Sequence, residues 1–423
     1  MPITVHSRAR VSVATAALTA VLSGGLALPA AAQETTEITI WFGRENFITA
    51  DNFESFNAKH PDIQVTTDVI PLEQSVADTI RAARAGRAPD IVQTPADGLA
   101  PLVAQGVVRP IDDMLARWQE ESPETYDQLS QTAWDMASLD GKTYGMTLFA
   151  GPFWYTYRAD WLEAAGMEVP ETWDDVLDFA RAVKDEGKIG FATVGSRAHD
   201  PVWFLSIFMA MGGQFEENVP QLDSPAGHYL LSFYQKLVAE ELTSDDILAW
   251  DSGAMRAAFI NGEAAQAMIG DNVYPTVNES LQWKSEWNGS RPPYRPGAEE
   301  ASRTMALGWP FLVTKDAAND EAILKVLQYL ATPENAAEVA MRYQPTTVLS
   351  VYESEKYNEA KPWASQFAQD FAELTPLPTH PRQSQIYQIL LDAMQAALQN
   401  PDQDPAMIAA SHQKRIDELV DGS

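Results

Sequence analysis

Short apolar segments bounded by Gly, Pro and Asp punctuate this chain from residue 37 onward. Residues 37–42 (EITIWF) predict a strand, and after Gly43 a helix is expected over 51–60, with Phe53 and Phe56 on one face. His60-Pro61-Asp62 ends that helix, because the residue before a proline is pushed out of helical angles. A second strand follows at 63–70, then a helix over 72–85 closed by Gly86, then a third, buried strand at 88–92. Strands alternating with helices argue for an α/β fold: a largely parallel sheet with helices on both faces. In such sheets ligands sit beyond the carboxyl ends of the strands. That rule marks Arg44 and Glu45 after the first strand, and Gln93, Thr94 and Asp97 after the third.

The centre of the chain is the stretch 144–166. The Asp140-Gly141 turn of a hairpin delivers a strand into Gly151-Pro152, where a break in the ladder is expected because Pro lacks a donor and Gly tolerates unusual angles. Alternating aromatics (Phe153, Tyr155, Tyr157) form the next strand, and a helix begins near Asp160. Such a stretch is either a bulge within one sheet or a joint between two lobes. Beyond it, Thr172 is a plausible helix cap with Asp175 three residues on, 188–194 reads as a strand, and helices are expected over 200–211, 224–240 and 253–261. The strand 265–269 ends in Gly270-Asp271-Asn272, again a loop at a carboxyl end. A run at 291–297 reads as a linker, Gly308-Trp309-Pro310 interrupts another strand, and Gln344-Pro345-Thr346-Thr347 makes a further break. Residues 381–419 are mostly helical.

Composition narrows the setting. With 423 residues and 45% hydrophobic content, the chain can bury two or three cores. Arg8 and Arg10, the apolar run 11–28 and Ala30-Ala31-Ala32 predict a cleaved signal peptide over 1–32; a membrane anchor is the competing reading. The absence of cysteine removes disulfides, thiol catalysis, cysteine metal sites and a lipidated N-terminal cysteine, which favours a free periplasmic protein. The 29 basic residues against 59 acidic ones give a formal net charge of -30, and nucleic acid is excluded as a partner for want of a basic footprint. No Gly-x-Ser-x-Gly elbow, His-Glu-x-x-His or phosphate loop is present, and the six histidines are dispersed. No catalytic residue, metal or cofactor is expected, although a glycoside hydrolase needs only two carboxylates and stays open on acid count.

Taken in order, Ala88-Pro89-Asp90-Ile91-Val92, the run 157–162 (YRADWL), the run 170–175 (PETWDD), the run 259–265 (FINGEAA), Gly308-Trp309 and Ala331-Thr332-Pro333-Glu334 resemble the extracellular solute-binding proteins of carbohydrate ABC transporters, the family 1, maltose-binding-protein-like group. The resemblance implies a two-lobe periplasmic binding protein fold of type II, holding a carbohydrate or polyol in its cleft, with a membrane ABC permease as partner and a monomer as the working unit. It places one lobe at 33–149 and 308–345, the other at 152–305 and 348–423, and hinges near 149–152, 305–309 and 344–347. It matches Asp97 to a hydroxyl-binding acid, the other role open to Asp97 being a helix N-cap, and it gives Trp309 a sugar-stacking role. Where the family often carries a tryptophan this chain has Asn272, which points to hydrogen bonding. An acid expected near the first crossing falls on Gly151, so a maltose site is not reproduced. Asp271, Trp203 and Thr346 complete the candidate set, and an anionic sugar (phosphate or sulfonate) would need Arg44 or backbone donors at a helix start. Ligand delivery to a chemosensor is the remaining alternative to transport.

Overall fold

Among the described residues two sheets of five strands each carry the fold, and two short hairpins stand apart from them. The structure is a computed structural model and describes residues 35–43, 51–184, 186–198, 201–342, 344–370 and 374–422. The expected signal peptide and the candidate residues Arg44 and Glu45 lie outside the described residues. In the first sheet the order is Ile63–Val69, Thr36–Phe42, Ile91–Gln93, Phe311–Val313 and Gly145–Met146. The first three run parallel and the last two join antiparallel. Ile38, Ile40 and Phe42 are buried in the face that also takes Phe53 and Phe56 from the helix Asp51–Lys59. The period of two in the strand and the helical spacing of the phenylalanines thus meet in one core.

The second sheet is built on Ala150–Arg158, buried along its whole length. Gln266–Gly270 and Thr304–Gly308 flank it antiparallel, Trp287–Ser290 pairs with its far end, and Leu374–Pro376 pairs parallel with Thr304–Gly308. Gly151-Pro152 is not the break that its residues predict. The strand runs through it, with Pro152 opposite Ala306 and Gly151 opposite Leu307. On its other side the ladder stops at the Phe153–Gly270 pair. Beyond that pair no neighbour asks for a donor from this edge, and a proline is tolerated where one side of a strand is unpartnered.

The chain passes between the sheets just before and just after these residues. Thr147 to Phe149 links Gly145–Met146 to Ala150–Arg158, and Trp309-Pro310 links Thr304–Gly308 back to Phe311–Val313. A third segment lies against the first link: Phe149 bridges Thr346, the Thr346 hydroxyl donates to the Leu148 carbonyl at 2.9 Å, and the Thr347 hydroxyl donates to the Thr147 carbonyl at 2.8 Å. The links are therefore side by side, tied by side-chain as well as backbone hydrogen bonds.

Elsewhere the local signals hold with one exception. Asp140 and Gly141 take positive φ in the expected hairpin turn between Ser138–Leu139 and Lys142–Thr143. The segment 188–194 makes only isolated bridges, Ile189 with Ala264 and Ala192 with Ala267, rather than the expected strand. Thr172 and Asp175 form a reciprocal box before the helix Trp173–Lys184: the Thr172 hydroxyl accepts from the Asp175 N–H at 3.2 Å, and the Asp175 carboxylate accepts from the Thr172 N–H at 2.8 Å. Thr172→Ala should lower stability by about 1 kcal/mol. Urea denaturation of the unliganded protein reads that loss, and an unchanged midpoint would remove the box from the account of this helix.

Candidate functional site

Asp271 stands where the strand Gln266–Gly270 ends and a single 3-10 turn, Asp271–Val273, begins. It is only 3% exposed, and its carboxylate lies over Gly151 of the neighbouring strand. Neither carboxylate oxygen has a hydrogen-bond partner. Burial pushes its pKa well above the usual carboxylate range, and the Lys361 ammonium pulls it back only in part. The N–H groups of Asp271 and Asn272 pull weakly in the same direction as Lys361, without reaching hydrogen-bonding geometry. Lys361 is itself buried and donates to the Ala340 carbonyl; desolvation pushes its pKa down while Asp271 raises it. A buried carboxylate with both oxygens idle is costly unless something supplies donors.

The space in front of Asp271 is a cavity of about 700 Å3. Asp97 and Pro101, which follow the strand Ile91–Gln93 of the first sheet, line one side; Gly151, Phe153, Trp203, Asp271 and Asn272, from the second sheet and its helices, line the other. Trp309 from the link between the sheets and Tyr387 from the helix Gln383–Gln399 complete an aromatic wall. Trp203 meets Phe153 edge to face at 5.4 Å, and the Arg256 guanidinium lies 5.7 Å from its ring. Gln344 also lines the cavity, 3% exposed, with its Oε1 lacking a partner.

The candidate residues separate into two groups. Asp97, Gly151, Trp203, Asp271, Asn272 and Trp309 come together on the cavity wall. Gln93, Thr94 and Thr346 do not line it. Gln93 is fully buried behind the wall and accepts from the Gly43 N–H at 3.3 Å, Thr94 is fully buried beside it, and the Thr346 hydroxyl is used within the crossing. Asp97 sits within the 3-10 turn Ala96–Gly98, and the helix Leu99–Ala104 takes Gly98 as its N-cap residue, so the capping role open to Asp97 is not the one observed.

Sequence reasoning missed Arg256, Gln344 and Tyr387. Gln344 carried a usable signal, since it opens the same Pro-Thr-Thr break as Thr346. Arg256 and Tyr387 lie within helices whose apolar spacing says nothing about a cavity. Chemically the residues of the wall include buried, unpartnered acceptors at Asp271 and Gln344 and aromatic planes for C–H surfaces. Among the described residues no cluster of His, Asp or Glu is arranged to hold a metal ion, and no helix is long and apolar enough to cross a membrane.

The family model described as bacterial extracellular solute-binding protein matches residues 42–337. The sn-glycerol-3-phosphate-binding periplasmic protein UgpB of Escherichia coli is 24% identical over 378 residues, covering 84% of this chain and 85% of that protein. Among solved structures, maltose-bound MalE3 of T. maritima has a TM-score of 0.73 at 22% identity, covering 91% of this chain and 100% of its own. A solute-binding protein of Agrobacterium radiobacter in complex with ribitol has a TM-score of 0.71 at 18% identity, covering 92% and 99%. One from Thermotoga lettingae bound with α-D-tagatose scores 0.72 at 19% identity, covering 91% and 100%. These structures share the two-lobe α/β fold of this chain.

Proposed function

The chain belongs to the bacterial extracellular solute-binding proteins, and from that membership we propose that it captures a sugar, polyol or glycoside in the cavity at Asp271 and delivers it to a membrane ABC permease. One observation carries the reading: a buried carboxylate with no partner faces a cavity walled by Trp203, Trp309 and Phe153. Hydroxyl groups supply the donors that Asp271 and Gln344 lack, and the apolar faces of a sugar or polyol suit the rings. Maltose, ribitol and tagatose in structures of the same fold are ligands of this chemistry.

In this reading the protein is exported to the periplasm by its apolar leader and acts as a monomer without a cofactor. The lobes are 33–149 with 308–345 and 152–305 with 348–423. The links near 149–152, 305–309 and 344–347 form the hinge, and closure is ligand-favoured because only the closed form brings both walls against the solute. No catalysis is assigned; hydrolysis of an oligosaccharide by the purified protein would overturn that part.

A second reading, an anionic sugar or polyol, has Arg256 on the cavity wall and the likeness to a glycerol-phosphate-binding protein in its favour. A thermal-shift panel of sugars, polyols, glycosides, sugar phosphates and sugar sulfonates tests both. A compound at a hundred times its dissociation constant stabilises the fold by ~2.7 kcal/mol. Shifts confined to the phosphates and sulfonates and lost in Arg256→Gln select the anionic reading, and a flat response to the whole panel defeats both. Trp309→Ala should weaken whichever compound binds by about three- to tenfold, the scale of one aromatic contact. Calorimetric titration reads that change, and full affinity in the variant would make Trp309 a core residue only.

A further inference from the structure

We infer that Gly151 determines specificity: its missing side chain opens the seat in which the Asp271 carboxylate receives two hydroxyl groups on adjacent carbons of the solute. The inference rests on the solute-binding reading above and names the chemical feature that this site selects. Gly151 is not required by the backbone, since it lies within a regular strand and is not among the residues with positive φ. It is required by space. A methyl group at Gly151 would stand 1.6 Å from Asp271 Oδ1, 2.5 Å from its Cγ and 3.0 Å from Oδ2. All of these atoms belong to one side chain at the end of a strand, so a methyl group displaces the carboxylate and leaves the strand intact.

The register explains why the carboxylate arrives there. Gly270 is the last residue to pair with Ala150–Arg158, opposite Phe153, and the next residue leaves the ladder into a 3-10 turn. Asp271 therefore folds across the edge that the neighbouring strand presents at Gly151. Both of its oxygens are buried and unpartnered, the residue itself lines the cavity wall, and Gln344, whose Oε1 is likewise buried and unpartnered, lines it too. The paired oxygens of one carboxylate match hydroxyls on adjacent carbons, each donating one hydrogen bond. Once Asp271 is ionised, a phosphate or sulfonate at this seat would meet its negative charge with no donor to offer. Any anionic end of the solute belongs toward Arg256.

Calorimetric titration of ribitol, D-tagatose, maltose and sn-glycerol 3-phosphate into the wild type, Gly151→Ala, Asp271→Ala and the double variant tests the inference. For whichever of the four binds, Gly151→Ala should lose at least about 100-fold in affinity with an unchanged circular dichroism spectrum. The double variant should be no worse than Asp271→Ala alone, because Gly151 acts only through that carboxylate. In a series of monodeoxy analogues of the same compound, removal of either of two neighbouring hydroxyls should cost at least tenfold, and removal of the others less. Binding by Gly151→Ala within threefold of wild type, losses that multiply in the double variant, or an even deoxy profile would each overturn the inference while leaving the solute-binding reading in place. If Gly151→Ala does not fold, the deoxy series on the wild type decides. A wild type that binds none of the four and nothing in the wider panel overturns both.

Discussion

Asp271→Asn is expected to weaken binding of a sugar or polyol at least about 100-fold while the unliganded protein stays folded. Hydrogen bonds to a charged group contribute about 1.5–3 kcal/mol each, and asparagine keeps only one oxygen acceptor in a neutral group of the same shape. Losing one such bond and weakening the other brings the change to about 2.7 kcal/mol or more, a hundredfold in affinity. The unliganded fold has the opposite interest. It holds a carboxylate that burial disfavours, with neither oxygen bonded and with Lys361 offsetting burial only in part. Replacing that charge by an amide removes its desolvation penalty but also the attraction that favours the charged form of buried Lys361, which keeps its bond to the Ala340 carbonyl, so the two effects on the unliganded fold oppose each other. Stability given up at a binding residue is a familiar consequence of keeping a polar group ready for its ligand. Full affinity in the variant would remove Asp271 from the site, and loss of the folded state would make it a structural residue.

Affinity should also rise with pH from weakly acid toward weakly alkaline solution, by up to about tenfold per unit while Asp271 remains mostly protonated. The sign follows from the direction of the shift. Burial raises the Asp271 pKa, so the carboxylate that accepts two hydroxyls becomes populated only as pH climbs through the raised value. Donors from the solute favour the charged form, and binding therefore releases a proton. The groups around it set the upper limit. The Tyr274, Tyr352 and Tyr357 phenols are pushed up by burial and by the Asp271 charge and stay neutral, Arg256 on the cavity wall stays charged, and Lys361 is pushed down. Once Lys361 loses its proton the carboxylate loses that attraction, and the rise levels off.

Stability of the unliganded protein moves differently. The raised Asp271 pKa contributes stability that is complete below the ordinary carboxylate pKa and is lost as pH rises through the folded value. The depressed Lys361 pKa contributes stability that is complete above the ordinary ammonium range and is lost as pH falls through its folded value. The two partly cancel in melting experiments, so binding is the cleaner measurement. Titration of the same compound in buffers of different ionisation enthalpy should show proton release by wild type and a flat profile for Asp271→Asn. Proton uptake, or the same slope in both proteins, contradicts the assignment.

Much of this arrangement was legible in the chain because it depends on local chemistry. Gly308-Trp309-Pro310 cannot continue a ladder, and it does link one sheet to the other. Gly270-Asp271-Asn272 follows a strand, and the rule that ligands gather at strand ends places it on the cavity. Gly151-Pro152 was misread for a reason of context. A Gly-Pro pair breaks a strand only where both edges need donors, and here one edge had already lost its neighbour. By the family resemblance the same glycine marks a missing acid; in three dimensions it is the space into which Asp271 reaches. Arg256 and Tyr387 were hidden because their place on the wall is set by how separate helices pack, which no local spacing records.

The central claim is a two-lobed trap that closes on a hydroxylated solute held at Asp271. Small-angle scattering of the wild type, with and without saturating amounts of the sugar or polyol that stabilises it most, tests this directly. Closure gives a smaller radius of gyration with the solute, and adding the same concentration to Asp271→Asn gives no change. An identical envelope for the wild type in both conditions, at a concentration where calorimetry shows the site filled, would contradict closure about the links at 149–152, 305–309 and 344–347.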